Sequence, residues 1–146
     1  MESLTRVCLD TDILIDYMRK PSDATQRIMN AALNRKLSIC TTSINTFEIL
    51  LGAHLHPKPK QIIEDTEDFL NQLKIINFDY ETSTEASRTM TYLRKHGQAI
   101  EIRDLFVACI CKINDFPLVT RNLKHYKRIH GLTIMTPQQA AAELKP

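Results

Sequence analysis

The sequence lacks the features of several classes of protein. No apolar run approaches the roughly 20 residues that a membrane-spanning helix needs, and there are no internal repeats or low-complexity segments. The four cysteines have no paired spacing of the zinc-ribbon kind. A chain of 146 residues can bury about two-thirds of its unfolded surface without such supports. We therefore expect one soluble domain, residues 1–146, that folds without a disulfide or a structural metal.

The remaining bulk properties are ordinary. Hydrophobic residues make up 43% of the chain and charged residues 25%, which is typical of a soluble globular protein. No basic-then-apolar leader opens the sequence, so we expect a cytoplasmic location without membrane attachment. The four cysteines lie in apolar segments and are interpreted as reduced core residues: Cys8, Cys40, Cys109 and Cys111.

The net charge of +2 is too small to indicate nucleic-acid binding by itself. Its distribution is more informative, because basic residues crowd the ten-residue window 121–130. The basic members of this window are Arg121, Lys124, His125, Lys127, Arg128 and His130. The window is also compatible with a plain solvated helix face.

Short β-type runs alternate with helical segments along the chain. We predict strands at 4–9, 37–41, 74–78, 117–120 and 132–135. We predict helices at 13–20, 23–35, 44–54, 61–73, from Ser83 or Thr84 to Gly97, and at 102–114, 122–128 and 138–144. This alternation indicates an α/β fold with a mainly parallel sheet covered by helices on both faces. In such sheets the ligand site lies beyond the carboxyl ends of the strands.

Polar residues from distant segments are predicted to meet at this edge. Asp10 follows the first strand, Glu48 lies early in the helix after the second, and Asp104 opens the helix that leads into the fourth. Thr120 and Asn122 leave that fourth strand at the same edge. Clustered carboxylates raise each other's pKa unless a cation joins them. Oxygen ligands without a matching His or Cys set favour magnesium or manganese.

Two of these acids also interrupt apolar helices. If Ile44, Phe47 and Leu51 form an apolar stripe, Glu48 lies in its middle, where burying an unpaired carboxylate is costly. Asp104 lies at the mouth of a helix that is apolar almost all round. Two structural explanations stay open: Asp104 could complement the helix dipole, and Glu48 could belong to an ordinary ion pair.

The other acids of the opening segment are interpreted differently. Asp16 is predicted to point away from the apolar side of its helix and to pair with Arg19 and Lys20. Asp12 is predicted to hold a water of the metal or to shape the turn. The neighbouring residues predicted to lie in the core are Leu14, Tyr17 and Met18.

Three segments resemble the PIN domain of the VapC toxin type: "LDTDILIDYMR", "SINTFEILLGA" and "IEIRDLFVACICKINDFPLVTRNLKHYKRI". The resemblance covers nearly the whole chain and implies a single PIN-like domain with a five-stranded parallel sheet flanked by helices. The acids of the family match Asp10, Glu48 and Asp104. Its fourth position, often Asp, is Asn122, so a second metal ion should bind more weakly. Asp12 stands where the family more often has Asn.

The resemblance also implies an activity, namely hydrolysis of RNA phosphodiester bonds by a metal-activated water with Mg²⁺ or Mn²⁺. The ion would be bound by Asp10, Asp104 and Glu48, assisted by Asn122, with Asp12 and Thr120 orienting water and ligands from outside. RNA phosphates would be held by Arg121, Lys124, Lys127 and Arg128. The implied partners are a small antitoxin that covers the acidic cleft and a second copy of the chain.

Two other functions compete with this one. Haloacid-dehalogenase phosphatases also begin with a strand and an Asp-x-Asp pair, here Asp10 and Asp12, and use the first Asp as nucleophile. Ile13 and Leu14 replace the residues that usually follow that pair, and no later paired-acid motif is present. A PIN domain without catalysis, acting as an RNA- or protein-binding module, is the second alternative. Asn122 favours that alternative and the intact trio of acids argues against it.

Overall fold

Strands and helices alternate along the chain in the computed structural model, which describes residues 4–144. The strands are β1 (Arg6–Leu9), β2 (Ser38–Thr42), β3 (Lys74–Ile76), β4 (Leu118–Val119) and β5 (Ile134–Met135). The helices are α1 (Thr11–Arg19), α2 (Asp23–Leu33), α3 (Ser43–His54), α4 (Pro59–Leu70), α5 (Tyr80–Lys95), α6 (Ile102–Ile113), α7 (Leu123–Tyr126) and α8 (Pro137–Ala142). Each predicted strand is present, although most are shorter than expected.

The five strands form one parallel sheet in the order β3-β2-β1-β4-β5. The chain therefore builds outward from β1 in one direction and returns to its other side at β4. The boundary between β1 and β4 is the switch point of the sheet, where a crevice opens beyond the strand ends. The predicted α/β class with a five-stranded parallel sheet flanked by helices is confirmed.

The sheet is buried on both faces because its strands carry apolar residues on both sides. Along β1, Cys8 belongs to one core cluster, whereas Val7 and Leu9 belong to the other. Leu118 and Val119 of β4 divide in the same way. All four cysteines are free and buried in the first cluster, as predicted.

Polar side chains set the starts of the helices. Asp10 caps α1, so this helix begins at Thr11 rather than Ile13. Thr42 caps α3 in a capping box with Asn45. The predicted start of α5 was wrong, because Asp79 is its N-cap and the helix begins three residues before Ser83, whereas the predicted end at Gly97 is confirmed. The sequence pattern offered several capping side chains there, and the earliest one is used.

Two predictions about the core were wrong. Phe47 and Leu51 are 54% and 41% exposed, so two of the three residues assigned to an apolar stripe on α3 face solvent, whereas Ile44 packs against the core. The buried side of α3 is formed by Asn45, Ile49 and Ala53 instead. Met18 is also exposed, because α1 ends beside it. Within residues 4–144, no helix is both long enough and apolar enough to cross a membrane.

Candidate active site

Asp10 is the centre of the site at the switch point. It is only 5% exposed, and its Oδ1 accepts hydrogen bonds from Thr11 N (2.9 Å) and Asn45 Nδ2 (2.9 Å). Its Oδ2 accepts from Thr120 Oγ1 (2.8 Å) and Tyr126 OH (3.1 Å). Because these donors come from α1, α3, α7 and the end of β4, the carboxylate ties together the elements around the crevice.

Asp104 faces the same crevice from the first turn of α6. The Tyr126 hydroxyl lies 3.4 Å from Asp104 Oδ1 and therefore bridges the two aspartates. His125 Nδ1 lies 3.3 Å from Asp104 Oδ2. Burial and the negative charge of Asp10 raise the pKa of Asp104, more than His125 and Tyr126 lower it.

Glu48 approaches from α3, held by two neighbours. Its Oε1 accepts a hydrogen bond from Thr11 Oγ1 (2.9 Å), and its Oε2 lies 3.8 Å from the Arg103 guanidinium. Burial raises the pKa of Glu48, and the charges of Asp10 and Asp104 add to the effect. The structure thus brings Asp10, Glu48 and Asp104 into one electrostatic field. Glu48 also has the ion-pair partner that its structural explanation required.

Asp12 lies beside this group with one oxygen unpaired. Its Oδ2 accepts a hydrogen bond from Arg121 N (2.9 Å), whereas its buried Oδ1 has no hydrogen-bond partner within the described chain. Burial raises the pKa of Asp12, and the charge of Asp10 contributes. An unpaired buried carboxylate oxygen of this kind calls for a water or a cation.

Asn122 is not drawn into contact with the acids. It is exposed, and its backbone N–H donates to Thr120 Oγ1 (3.0 Å). Its side chain forms none of the hydrogen bonds seen within residues 4–144. Thr120, by contrast, is fully buried and donates to Asp10, so the hydroxyl links β4 to β1.

Sequence reasoning missed two residues that hold the acids in position. Asn45 is fully buried; its side-chain amide donates to Asp10 Oδ1 and Thr11 Oγ1 while its carbonyl accepts from Thr42. Its position three residues after the Thr42 cap was a usable signal. Tyr126 was hidden inside the basic window, where it is the one tyrosine.

The basic window is only partly available for a ligand. Arg121 forms an ion pair with Asp16 (3.2 Å) and so is already engaged. The predicted pairing of Asp16 with Arg19 and Lys20 was therefore wrong, because the partner of Asp16 is Arg121 from a distant segment. Within the window, the exposed lysine and arginine side chains that form no ion pair with the described residues are Lys124, Lys127 and Arg128.

The carboxylates of the site have the chemistry that a divalent cation requires of its ligands. No three His, Cys, Asp or Glu side chains within residues 4–144 lie close enough together to hold a metal ion by themselves. Magnesium is usually bound by only one or two carboxylates, with water and substrate phosphate completing its shell. Asp10 and Asp104, linked through Tyr126, provide such a pair, and Asp12 adds an unpaired oxygen nearby. The all-oxygen donor set therefore fits Mg²⁺ or Mn²⁺.

The fold and these residues define a parallel α/β domain with an acidic cleft at the switch point of its sheet. Residues 7–132 match the family described as PIN domain. The chain belongs to the PIN domain family.

Several similar proteins carry the name VapC or VapBC. The chain is 30% identical over 125 residues to Ribonuclease VapC1 of Methanocaldococcus jannaschii, covering 86% of this chain and 82% of that protein. It is 28% identical to Ribonuclease VapC2 of Haemophilus influenzae, with coverages of 88% and 96%. A chain in the crystal structure of VapBC2 from Rickettsia felis bound to a promoter DNA fragment superposes with a TM-score of 0.81 at 26% identity. That match covers 90% of this chain and 98% of the other. These relatives confirm the predicted resemblance to VapC-type PIN ribonucleases.

Proposed function

We propose that this protein is a Mg²⁺- or Mn²⁺-dependent endoribonuclease, the toxin of a VapBC-type pair, and that it hydrolyses RNA phosphodiester bonds. One observation carries the proposal: three carboxylates, the buried Asp10 and the half-buried Glu48 and Asp104, converge at the switch point of a PIN fold. The names of the relatives from M. jannaschii and H. influenzae support the reaction class.

The metal would be bound by Asp10 and Asp104, with Glu48 as the third acid and Asn122 at the periphery. When bound, the ion would lower the pKa of a water and stabilise negative charge on the phosphate. Asn45 and Thr120 keep Asp10 in one orientation, because each donates to a different oxygen. Thr11 does the same for Glu48. These bonds preorganise the acids before RNA arrives.

The RNA would be held through its phosphates by Lys124, Lys127 and Arg128, which extend from α7 and the turn after it. Arg121 would contribute only by leaving Asp16. Phosphate contacts position a strand without reading its bases. These three cations would therefore bind RNA strands of different sequence equally well.

Cleavage by the purified protein tests the proposal. We expect wild type to cut labelled cellular RNA with Mn²⁺ and not with EDTA. Asp104→Asn should lower the rate by at least about 100-fold, as removal of one directly acting group does elsewhere. Asp68→Asn, an exposed acid on α4, is the matched control and should cleave normally. If wild type and Asp104→Asn cleave equally well, the assignment of the site is wrong.

A catalytically silent PIN domain is the second candidate, and one observation favours it. Both oxygens of Asp10 already accept two hydrogen bonds each from the protein. A metal would have to compete with these donors. If the wild-type protein binds RNA but leaves it intact in Mn²⁺ and in Mg²⁺, the protein is a binding module.

We also propose a small antitoxin as partner. The similar structure of VapBC2 from R. felis provides the precedent for such a pair. A groove of about 290 Å³ runs beside the site between α1, α3 and α4, with Glu48 at its edge and Ile15, Met18 and Ile62 in its wall. An antitoxin helix with apolar residues for this wall and a cation for Glu48 would cover the acidic cleft.

Two further assignments are proposals. The exposed stripe of Phe47, Leu51 and Leu55 on α3 would form a homodimer interface, since contiguous exposed apolar surface marks interaction sites. A cytoplasmic location is supported by the four free buried cysteines, which an oxidising compartment would not require.

A further inference from the structure

Two adjoining cavities lead away from the acidic cleft. The inner cavity, of about 390 Å³, is lined by Asp104, His125 and Arg128. The outer cavity, of about 280 Å³, is lined by Arg128 together with Arg88, Tyr92 and residues near them. Arg128 lines both cavities. A ligand that extends from the acids through the inner cavity would therefore enter the outer cavity beside Arg128.

The outer cavity carries an excess of positive charge. Arg88, Lys112 and Arg128 line it against a single carboxylate, Glu85. Glu85 pairs with Lys112 (2.8 Å) and Arg88 (3.1 Å), whereas Arg128 forms no ion pair among the described residues. The cavity is therefore suited to an anion, and Arg128 is the cation most available to it.

Tyr92 and His130 line the outer cavity, and His96 stacks on Tyr92; these three rings are here termed the aromatic cluster. The rings of Tyr92 and His96 stack with centroids 4.0 Å apart at 27°. His130 meets Tyr92 at 5.5 Å and 59°. All three residues are exposed, and Tyr92 keeps 44% of its surface in solvent.

The aromatic cluster is preorganised by the end of α5. His96 is the C-cap of that helix, and its Nδ1 lies 2.8 Å from the Tyr92 carbonyl oxygen. Gly97 then turns the chain at φ +64°, a conformation that favours glycine. The stack therefore exists without a ligand, which reduces the entropy lost when another ring is added.

We propose that the aromatic cluster, with Arg88 and Arg128, binds one unpaired nucleotide of a single-stranded RNA that extends from the acids along the inner cavity to the outer one. The inference rests on the proposed function for its ligand and adds a stacking subsite to the phosphate contacts. The base stacks on the ring of Tyr92 or His130, and its phosphate pairs with Arg128. Unpaired bases stacked on aromatic side chains are a general mode of RNA recognition.

Fluorescence anisotropy with a short fluorescein-labelled RNA tests the subsite. The measurement is made in EDTA, with a gel to show that the RNA stays intact. We expect Tyr92→Leu to raise Kd for the single strand by roughly 5- to 100-fold. Binding of the corresponding RNA duplex should change by less than about twofold, because its bases are paired and cannot stack on the protein.

Two control variants separate stacking from other effects. Tyr92→Phe keeps the ring and should bind like wild type. Tyr80→Leu, an 87% exposed tyrosine on the same helix that lines neither cavity, should also bind like wild type. Circular dichroism checks the fold of each variant, and His130→Ser provides a second test if Tyr92→Leu is not folded.

The outcomes distinguish this inference from the proposed function. If wild type cleaves RNA and Tyr92→Leu binds the single strand equally well, the subsite is wrong and the nuclease assignment stands. If wild type does not cleave but Tyr92→Leu still loses single-strand affinity, the subsite stands without the nuclease. Loss of affinity in Tyr92→Phe as well would overturn the stacking role.

Discussion

At the scale of single residues, Asp10 and Asp104 are held in different ways. Asp10 has four protein donors, two on each oxygen, and so keeps its orientation in the absence of any ligand. Asp104 has the shared Tyr126 hydroxyl and the imidazole of His125. Asp104 is therefore the acid with more freedom to adjust when a cation or a phosphate enters.

The raised pKa of Asp104 has a consequence for stability. The pKa of Asp104 is higher in the folded protein than its ordinary value of 3.8. The free energy of unfolding therefore falls as the pH rises from 3.8 through the raised pKa, because the folded protein binds the proton more tightly. At pH 7 the ionised Asp104 therefore lowers the free energy of unfolding. We expect Asp104→Asn to raise Tm at pH 7 by a few degrees in metal-free buffer, as active-site replacements that relieve strain do.

The pH dependence checks the cause of this gain. Near pH 3, below the raised pKa of Asp104, its carboxyl is protonated in the wild type, and the two proteins should melt at the same temperature. Asp79→Asn is the contrasting control, because hydrogen bonds from Thr82 lower the pKa of Asp79. That variant should not gain stability at pH 7. An equal gain for Asp104→Asn at both pH values would show that charge repulsion is not responsible.

At the scale of elements, α3 has two roles on two sides. Its buried side supplies Asn45 to the acidic site, and its exposed side carries Phe47, Leu51 and Leu55 at helical spacing. If this stripe is the dimer interface, Leu51→Glu should convert the protein to a monomer in sedimentation velocity, with unchanged helix content. A monomeric wild type would remove the interface from consideration.

The matched control for this variant is Leu33→Glu on α2. Leu33 is 75% exposed, so the same substitution there introduces the same charge without touching the stripe. It should leave the sedimentation coefficient unchanged. If both variants dissociate the protein, the effect comes from added negative charge and not from the interface.

The elements also show what a sequence can reveal. Strand β1 and helix α6 were predictable because their apolar runs are nearly continuous, with Asp10 directly after the strand and Asp104 in the first turn of the helix. The exposed stripe of α3 was misassigned because hydrophobic spacing shows that residues share a side, but not whether that side meets the core or another molecule. The pairing of Asp16 with Arg121 spans 105 positions, so no local pattern contains it. The bonds of Asn45 and Tyr126 to Asp10 likewise join distant segments, although the capping box of Asn45 with Thr42 is a local signal.

At the scale of the whole molecule, the net charge of +2 gives little long-range attraction for RNA. Affinity must then come from a few local phosphate contacts. Each contact to a single strand contributes a slope of about −0.7 to the dependence of log K on log salt concentration. The three unpaired cations Lys124, Lys127 and Arg128 therefore predict a slope near −2.

Removing two of these cations should change the slope by a matching amount. The double variant Lys124→Gln, Lys127→Gln is expected to flatten it by about 1.4, measured by anisotropy between low and physiological salt. Arg121→Gln should flatten it less, because Asp16 already pairs with this guanidinium. Arg27→Gln on α2, an exposed arginine on a helix that packs against α8, should leave it unchanged. If the slope is the same in the double variant and in wild type, RNA does not contact Lys124 and Lys127 and binds to another surface. Counterions are released only where phosphates are contacted.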